Sequence, residues 1–385
     1  MNSDDGAVAV GDIGILKTSC VSYDRFNPYE SKPVVKDELQ SVKCAVEKDS
    51  VIVSRMNTPE RVGACGYVST DFPNLFLPDR LWKLKFQDNV DAYFVYMMLV
   101  SSVYKEKITS MASGTSGSMY NIPKETFLNL QLVVPVQTSE QRKIGQVLRQ
   151  LNDFITLHQR KYDKLQVLKK AMLEKMFPKN GSSVPEIRFK GFTDAWEQRK
   201  LGDFCEMFNG DRSAKYPNEQ DMVHEGIPFI NAGDLENGCV NLLNANKITT
   251  EKYNDLGGAK LQLGDIVYCL RGTLGKNAYI DNFSEGTVAS SLVAIRPKNI
   301  DGKYLFYILN SDIEYSQRIL HDEGAAQPNL SAKSVSEFII PIPNIDEQKK
   351  LSSFFDSLSN LITLHQRELE KLQNIKKSML EKMFV

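Results

Sequence analysis

Two short stretches of this 385-residue sequence come close to catalytic motifs. Asn27-Pro-Tyr29 lacks the second proline of the (Asn/Asp)-Pro-Pro-aromatic motif of a methyltransferase, and no Gly-x-Gly-x-x-Gly loop occurs. Glu347-Gln-Lys349 has the Glu-x-Lys spacing of a nuclease half-motif. The matching Glu140-Gln-Arg142 also opens a helix, where an acid suits the positive N-terminal end. With no P-loop either, the sequence favours a protein without catalytic chemistry of its own.

Cysteine and histidine give no metal motif by spacing. The six cysteines fall singly, with no Cys-x-x-Cys pair and no histidine at zinc-ligand spacing, which predicts reduced and mostly buried thiols. These cysteines are Cys20, Cys44, Cys65, Cys205, Cys239 and Cys269. Two histidines, His158 and His365, recur at equivalent places in a repeat. We interpret them as polar groups that set the register of a helix pair, in preference to a metal or catalytic role.

Other polar residues stand at the ends of strand-like runs that occur twice. Asp49-Ser-Val-Ile-Val-Ser-Arg55 lines up with Asp265-Ile-Val-Tyr-Cys-Leu-Arg271, each running from an acidic turn residue to an arginine. Three further pairs match: the predicted helices 91–99 and 301–309, Asn121-Ile-Pro with Asn329-Leu-Ser, and the predicted strands Leu132-Val-Val-Pro135 and Ile340-Pro-Ile-Pro343. The Gly, Pro and β-branched composition predicts mixed α and β structure in both halves.

A long helical segment repeats without a gap. Residues 140–177 return as residues 347–384, and 21 of the 38 pairs are identical, including ITLHQR and MLEKMF. This shift of 207 residues is too long for a solenoid repeat and indicates two large halves that each end in the same helix. We call residues 207 positions apart repeat mates.

Apolar residues in each copy recur at alternating spacings of four and three, which is the seam of a coiled coil. We expect Phe154, Leu361 and Ile375 to widen the buried stripe. Each helix would be roughly 57 Å long at ~1.5 Å per residue. An antiparallel pair related by a pseudo-two-fold axis would bring His158 and His365 together at the midpoints.

The predicted architecture is α/β (α+β), with two globular domains separated by the two long antiparallel helices. We place the first globular domain at 1–139, the central helix at 140–178, the second domain at 179–346 and the C-terminal helix at 347–385. A Pro-, Gly- and Ser-rich linker, 178–185, ends the first helix. The second half carries an entry string, residues 185–203, that the first half lacks, so we expect about thirty residues to be missing there.

Charge is unevenly distributed. The net charge is -1, but residues 140–177 hold nine Lys and Arg against four Asp and Glu, and residues 347–384 hold seven against five. The helices thus carry +7 and the rest of the chain -8. A polyanion would therefore be attracted to the helices more than to the globular parts. The acidic start has no secretory signal and no apolar run approaches ~18 residues, which predicts a cytosolic protein that does not enter a membrane.

The paired ITLHQR…KLQ…KK.MLEKMF helices, the string PEIRFKGFTDAWEQRKLGD and the EQ(R/K)K elements resemble the DNA-specificity subunit of type I restriction-modification systems over nearly the whole chain. The resemblance implies two target-recognition domains that each read one half of a split sequence in double-stranded DNA. It implies two methylation subunits and restriction subunits as partners. S-adenosylmethionine, ATP and Mg would belong to those partners, and this chain would need no cofactor.

On that resemblance, DNA contacts should lie in polar loops beside the strands, because side chains read base edges while Lys and Arg hold phosphates. Candidates in the first half are Lys17, Thr18, Ser19, Arg55, Asn57, Arg61, Ser116, Ser118 and Tyr120. Candidates in the second half are Asn231, Asp234, Arg271, Thr273, Lys276, Gln327 and Asn329. Arg55 and Arg271 are favoured because they occupy matched positions. The acidic recognition domains predict that the isolated chain binds DNA weakly and needs partner subunits.

Two other classes of protein compete with this interpretation. An enzyme acting alone would carry one of the complete motifs that are missing above. A coiled-coil scaffold or tether would explain the heptads, but it would not need two whole domains with matched frameworks and different loops. Methylation by the chain alone would indicate an enzyme, and the absence of any methylated motif would leave the tether.

Overall fold

The structure, a computed structural model, describes residues 12–23, 25–35, 39–40, 42–114, 118–179, 182–322 and 329–384. The chain divides into two compact units, which we call unit 1 (residues 1–160 and 365–385) and unit 2 (residues 161–364). These boundaries fall inside both long helices. They divide the chain by packing, whereas the boundaries predicted from the sequence divide it by element.

Unit 1 is a set of small sheets with helices packed on one of them. Its strands are β1 (Gly14–Leu16), β2 (Val21–Ser22), β3 (Arg25–Phe26), β4 (Ser31–Pro33), β5 (Ala45–Val46), β6 (Ser50–Ser54), β7 (Met56–Asn57), β8 (Cys65–Val68), β9 (Phe72–Phe76), β10 (Leu81–Leu84) and β11 (Tyr120–Asn121). Strand orders are β4-β1-β9-β5, β10-β6-β8, β11-β7 and β2-β3. Its helices are α1 (Ala92–Leu99), α2 (Ser102–Ser110), α3 (Lys124–Leu128) and the first part of α4 (Thr138–Lys175).

Unit 2 repeats this plan with larger sheets. Its strands are β12 (Glu197–Lys200), β13 (Cys205–Asn209), β14 (Met222–Val223), β15 (Ile227–Ile230), β16 (Leu235–Glu236), β17 (Cys239–Val240), β18 (Asn246–Ile248), β19 (Ile266–Cys269), β20 (Asn277–Tyr279), β21 (Thr287–Val288), β22 (Leu292–Pro297) and β23 (Ile339–Ile342). Strand orders are β13-β22-β19-β20, β14-β18-β15-β21, β12-β23 and β16-β17. Its helices are α5 (Thr250–Asp255), α6 (Gly302–Ile308), α7 (Asp312–Leu320), α8 (Ala332–Ser336) and the first part of α9 (Ile345–Met383).

The matched helices begin and dock in the same way. The Asp91 carboxylate caps α1 by accepting the amide of Phe94 at 2.8 Å, and the Asp301 carboxylate caps α6 by accepting the amide of Tyr304 at 2.8 Å. These helices confirm the prediction for 91–99 and 301–309.

A glutamine on each long helix then joins that helix to its unit. The Gln141 side chain accepts the amide of Asp91 at 3.0 Å and donates to the carbonyl of Pro135 at 2.8 Å. Its repeat mate Gln348 accepts the amide of Asp301 at 2.9 Å and donates to the carbonyl of Pro343 at 2.9 Å. The duplicated sequence thus gives a duplicated tertiary contact.

The long helices run antiparallel within each unit. In unit 1, Leu148 shares a core with Leu380, and His158 of α4 lies beside His365 of α9. In unit 2, Phe177, just after α4, stacks on Phe355 of α9 with ring centroids 5.8 Å apart. Among these contacts, the residue number on α9 therefore falls as the residue number on or just after α4 rises.

The width of the buried stripe was predicted wrongly. Phe154, Leu361 and Ile375 are 54%, 45% and 40% exposed, whereas seam residues such as Leu148 and Phe355 are fully buried. The seam satisfies the packing of two helices, and the extra apolar residues point away from it.

The strand predicted at Leu132-Val-Val-Pro135 is also wrong. Its counterpart β23 pairs with β12, which comes from the entry string of the second half. Residues 132–135 have no strand partner among the described residues and are irregular.

Four of the six cysteines are buried, as the sequence predicts. Chiefly through burial, the pKa of each of the thiols Cys20, Cys65 and Cys205 is raised to about 12. These thiols are therefore neutral core groups. Within the described ranges, no helix combines the length and the apolar character needed to cross a bilayer.

Candidate nucleic-acid interface

Unit 1 has a basic cleft of about 930 Å³ beside the end of β1 and the turn before β10. Five cationic side chains and one acidic side chain line it: Lys17, Lys32, Lys43, Arg55 and Arg80, with Asp79 as the acid. Thr18 lies in the same lining. A local excess of positive charge in a cleft attracts a phosphate backbone. This positive cleft lies in a part of the chain whose overall charge is negative.

Arg55 is held in this cleft by one edge of its guanidinium. Its Nε donates to the carbonyl of Asp79 at 2.7 Å. The two terminal amino groups make no hydrogen bond with any residue that the structure describes. Such a fork can donate two parallel hydrogen bonds to a base edge or a phosphate.

Among the other candidates in unit 1, Asn57 and Arg61 lie in the segment between β6 and β8. Tyr120 pairs with Asn57 across β11 and β7, Arg61 and Ser118 are exposed, and the Ser19 hydroxyl donates to the Glu30 carboxylate at 2.8 Å. Ser116 lies outside the described residues.

Asn57 differs from the exposed loop position assumed for it. It is 8% exposed, its Nδ2 donates to the Ser54 hydroxyl at 3.1 Å, and its Oδ1 accepts the amide of Thr58 at 2.9 Å. The side-chain amide of Asn57 therefore stabilises the turn, which does not fit the exposed base-reading position predicted for it.

In unit 2, Arg271 and Asn329 form a direct pair. Arg271 follows β19 and is exposed, and its Nε donates to the Oδ1 of Asn329 at 2.9 Å. The backbones of the two residues also form an isolated antiparallel bridge. Within the described part of the chain, the terminal amino groups of Arg271 have no other hydrogen-bond partner. This guanidinium therefore offers its fork in the same way as that of Arg55.

The remaining candidates of unit 2 surround this pair. Lys276 donates from Nζ to the carbonyl of Ala232 at 3.0 Å, which joins the loop after β19 to the turn that holds Asn231. Thr273 is exposed on that loop, and Gln327 lies outside the described residues. The structure thus brings the segments 231–234 and 271–276 together.

Asp234 has a structural task that the sequence analysis did not foresee. It is 9% exposed, and its carboxylate accepts the amide of Asn231 at 2.7 Å in a short helical turn. The Asp234 carboxylate therefore supports the loop, which does not fit the exposed base-reading position predicted for it.

Arg55 and Arg271 are not structural equivalents, although their sequences line up. The amide of Ile122 donates to the carbonyl of Arg55 at 2.9 Å, while the amide of the matching Leu330 donates to the carbonyl of Leu270 at 3.0 Å. The hydrogen bonds therefore align Arg55 with Leu270, one residue before Arg271.

The strand pairings give the same offset. Asn121 pairs with Met56, whereas the matching Asn329 pairs with Arg271. A shift of one residue along a strand moves a side chain to the opposite face of the sheet. Arg55 and Arg271 therefore differ by one residue in strand register, although each places its guanidinium on the surface of its own unit.

Sequence reasoning missed three cations of the cleft, Lys32, Lys43 and Arg80. Arg80 follows a Pro-Asp turn and could have been found as a basic residue beside a strand. Lys32 enters the cleft only because β4 pairs with β1 and sets it opposite Ile15. No signal in the sequence predicts that pairing.

At the centre of the helix pair, the Nδ1 atoms of His158 and His365 lie 3.1 Å apart. The ring centroids are 5.1 Å apart and the planes are inclined by 60°. Both residues belong to unit 1, and their side chains are 18% and 15% exposed. This is the approach that an antiparallel, centre-matched register requires.

The basic cleft of unit 1 and the paired polar loops of unit 2 suit a protein that recognises DNA, and comparison with known proteins gives the family. The family described as type I restriction modification DNA specificity domain matches residues 7–167 and 193–374. The chain belongs to this family, and it is a specificity subunit that recognises DNA sequence in a type I restriction-modification system.

Relatives and solved structures agree with this assignment. The chain is 23% identical to the MjaVIII specificity subunit of Methanocaldococcus jannaschii, over 75% of this chain and 68% of that one. It is 24% identical to the Escherichia coli EcoBI specificity subunit, over 43% of this chain and 36% of the relative. The crystal structure of the S subunit from M. genitalium has the same fold, with a TM-score of 0.65, 18% identity and coverage of 100% and 92%. A scaffold without DNA recognition is not favoured.

Proposed function

We propose that each unit reads one half of a split DNA target and that the long helices set the distance between the two half-sites. One observation carries this proposal: Arg55 and Arg271 are each anchored through Nε, with the terminal amino groups available on a polar surface of their own unit. Anchoring lowers the entropic cost of placing a guanidinium on a base edge. The recognition domains would extend over 1–139 and 179–346, with helices at 140–178 and 347–385 between them.

The basic cleft of unit 1 would contact phosphates, while the arginine forks read bases. Lys17, Lys43 and Arg80 are exposed cations around Arg55 and suit the phosphate role. Roughly 57 Å of helix corresponds to about 17 steps of B-DNA at ~3.4 Å, so the spacer would exceed one turn of DNA.

The test is a methylation map of cells that express the chain with its methylation subunits. A split motif with an unread spacer is expected. Arg271→Ala should relax one position of one half-site by ~1 to 3 kcal/mol, and Arg55→Ala one position of the other. Arg199→Ala removes a half-exposed cation of unit 2 that already pairs with Glu197 and Asp203, and it should leave the motif unchanged. A continuous motif, or an unchanged motif in both arginine variants, would reject the proposal.

The exposed apolar residues of the long helices support binding of two copies of one partner. Three pairs of repeat mates are between 40% and 54% exposed: Phe154 with Leu361, Leu157 with Leu364, and Leu168 with Ile375. Apolar side chains that recur at the same helical spacing on two copies of a helix offer two similar docking surfaces. This duplication agrees with two methylation subunits as partners.

Substituting one surface at a time tests this stoichiometry. Leu157→Glu or Leu364→Glu should each reduce two bound methylation subunits to one, measured by native mass spectrometry of the co-expressed complex. Val167→Glu changes an apolar residue that is 70% exposed but whose repeat mate is the polar Asn374, and it should leave two bound. Retention of two methylation subunits in all three variants would contradict the assignment of this surface.

Restriction subunits would complete the complex. S-adenosylmethionine, ATP and Mg would serve those partners and not this chain, and the complex would act in the cytoplasm. Weak binding of DNA by the isolated chain is expected, because the chain outside the helices is acidic. A tight, salt-resistant complex of the chain alone with its site would count against a partner-dependent interface.

A further inference from the structure

The two central histidines converge with a carboxylate that the sequence pattern did not single out. The Nδ1 of His158 lies 2.9 Å from Oε2 of Glu368, and the Nδ1 of His365 lies 3.6 Å from the same oxygen. With the 3.1 Å between the two nitrogens, three ligand atoms form a small triangle. In the part of the chain that the structure describes, no other group of three His, Cys, Asp or Glu side chains brings its ligand atoms within 4.8 Å of one another.

Protons alone satisfy this triangle poorly. Each neutral imidazole carries a proton on one nitrogen and a lone pair on the other, and the carboxylate only accepts. If His158 holds its proton on Nδ1, that proton can be shared between His365 and Glu368. The lone pairs on Nδ1 of His365 and on the Glu368 carboxylate oxygen then still face each other. If both histidines hold protons on Nδ1, the protons meet across 3.1 Å. A single cation would interact favourably with all three lone pairs.

The dimensions suit a divalent first-row transition metal. Ligand atoms about 2.0 to 2.1 Å from a tetrahedral zinc ion lie roughly 3.3 to 3.4 Å from one another. The three observed separations, 2.9, 3.1 and 3.6 Å, lie on both sides of that distance. Two imidazoles and a carboxylate are also a common zinc-ligand set, with the fourth position open to water. We propose that His158, His365 and Glu368 form a zinc site at the centre of the helix pair.

The site would join the two long helices inside unit 1. His158 comes from α4, while His365 and Glu368 come from α9 and lie three residues apart on one face. The histidines are repeat mates, but the repeat mate of Glu368 is Lys161, so the third ligand is a departure from the repeat. A metal bound here would hold α4 against α9 and stabilise unit 1, because it binds the folded state only.

Cobalt and zinc titrations of the purified, chelator-treated full chain test the proposal without DNA or partner subunits. One equivalent of Co²⁺ should give the visible absorption bands of a site with nitrogen and oxygen ligands, and Zn²⁺ should displace it. A Cys239→Ser background removes an exposed thiol that could bind metal on its own. Zn²⁺ should also raise the unfolding temperature of the chain, as followed by Trp82 fluorescence in a Trp196→Phe background.

Variants then assign the ligands. His158→Gln and His365→Gln should each abolish the cobalt bands and the thermal shift, and Glu368→Gln should weaken binding by about tenfold or more while circular dichroism shows an unchanged helix content. Glu370→Gln removes a nearby acid that bonds Gln366 instead, and it should bind metal as the parent chain does. Absence of one-to-one binding in the parent chain, or equal binding by the histidine variants, would overturn the proposal.

Discussion

The entrances to the two long helices carry nearly the same sequence but different contacts. Gln141 and Gln348 dock their helices by the same two hydrogen bonds. The neighbouring glutamates differ: Glu140 is exposed, whereas Glu347 is 1% exposed and forms two hydrogen bonds, of 2.7 and 2.8 Å, with the guanidinium of Arg188.

Arg188 belongs to the entry string that only the second half carries, and the same string supplies β12 as the partner of β23. An identical residue is therefore a buried ion-pair partner in one unit and a solvated side chain in the other. In Glu347-Gln-Lys349, which has the spacing of a nuclease half-motif, the carboxylate of Glu347 is bound by Arg188.

The largest difference between the units should follow from these two glutamates. Glu347→Gln leaves the Arg188 side chain, which is 11% exposed, without its charge partner and should lower the free energy of unfolding of unit 2 by ~3 to 5 kcal/mol. Glu140→Gln, at the repeat mate, should change that of unit 1 by less than ~0.5 kcal/mol.

Urea unfolding can resolve the two units because each has one tryptophan, Trp82 in unit 1 and Trp196 in unit 2. Trp196→Phe and Trp82→Phe backgrounds report them separately. Similar losses at both positions would mean that the ion pair does not distinguish the two entrances.

The docking glutamines should behave alike. Gln141→Ala and Gln348→Ala each leave a capping aspartate amide and a proline carbonyl without their partner, which should cost ~1 to 3 kcal/mol in the respective unit. The same tryptophan backgrounds measure both losses. A loss confined to one unit would show that the entry string, and not the glutamine, holds the helix in place.

The offset between Arg55 and Arg271 predicts a difference in DNA reading. Asn329→Ala removes the side chain that holds Arg271 and should relax one position of its half-site by roughly 1 kcal/mol, within the range for a base-reading contact. Asn121→Ala should leave the other half-site unchanged, because the carbonyl of Asp79 and not Asn121 holds Arg55.

Methylation maps of both asparagine variants check this expectation, which depends on the proposed function. Matched relaxation of both half-sites would restore Arg55 and Arg271 as equivalents. If neither half-site were relaxed, Asn329 would not be a positioning residue for Arg271.

The smallest effect concerns acid stability. Hydrogen bonds from Lys83 and Lys85 lower the pKa of Glu47 in unit 1 to about 2, below its ordinary value of 4.5. A carboxylate with a lowered pKa in the folded state contributes stability that is complete above pH 4.5 and is lost as the pH falls toward 2. Glu47→Gln should therefore flatten the acid side of the stability profile of unit 1, followed by Trp82 fluorescence. Glu206→Gln, which removes an exposed ion pair with Lys298 in unit 2, serves as the control and should leave that profile unchanged.

Local patterns in the sequence predicted the regular elements well. The sequence predicts helices over 91–99 and 301–309, and the capping carboxylates of Asp91 and Asp301 act within three residues of each start. The heptad seam predicted the long helices and the approach of His158 to His365, because the period of apolar residues defines the buried face. The prediction failed at Leu132-Val-Val-Pro135, where a strand needs a partner from elsewhere in the chain.

The sequence by itself therefore determined the duplication, the long helices, the mixed α/β halves and the family, since these depend on local periodicity and on motif identity. Tertiary structure alone decided which cations share the cleft of unit 1, that Asn57 is buried, and that Arg55 and Arg271 are offset by one residue. It also brought Glu368 to the two histidines. Strand register and side-chain convergence depend on contacts between residues far apart in the chain, and those contacts leave no local pattern to read.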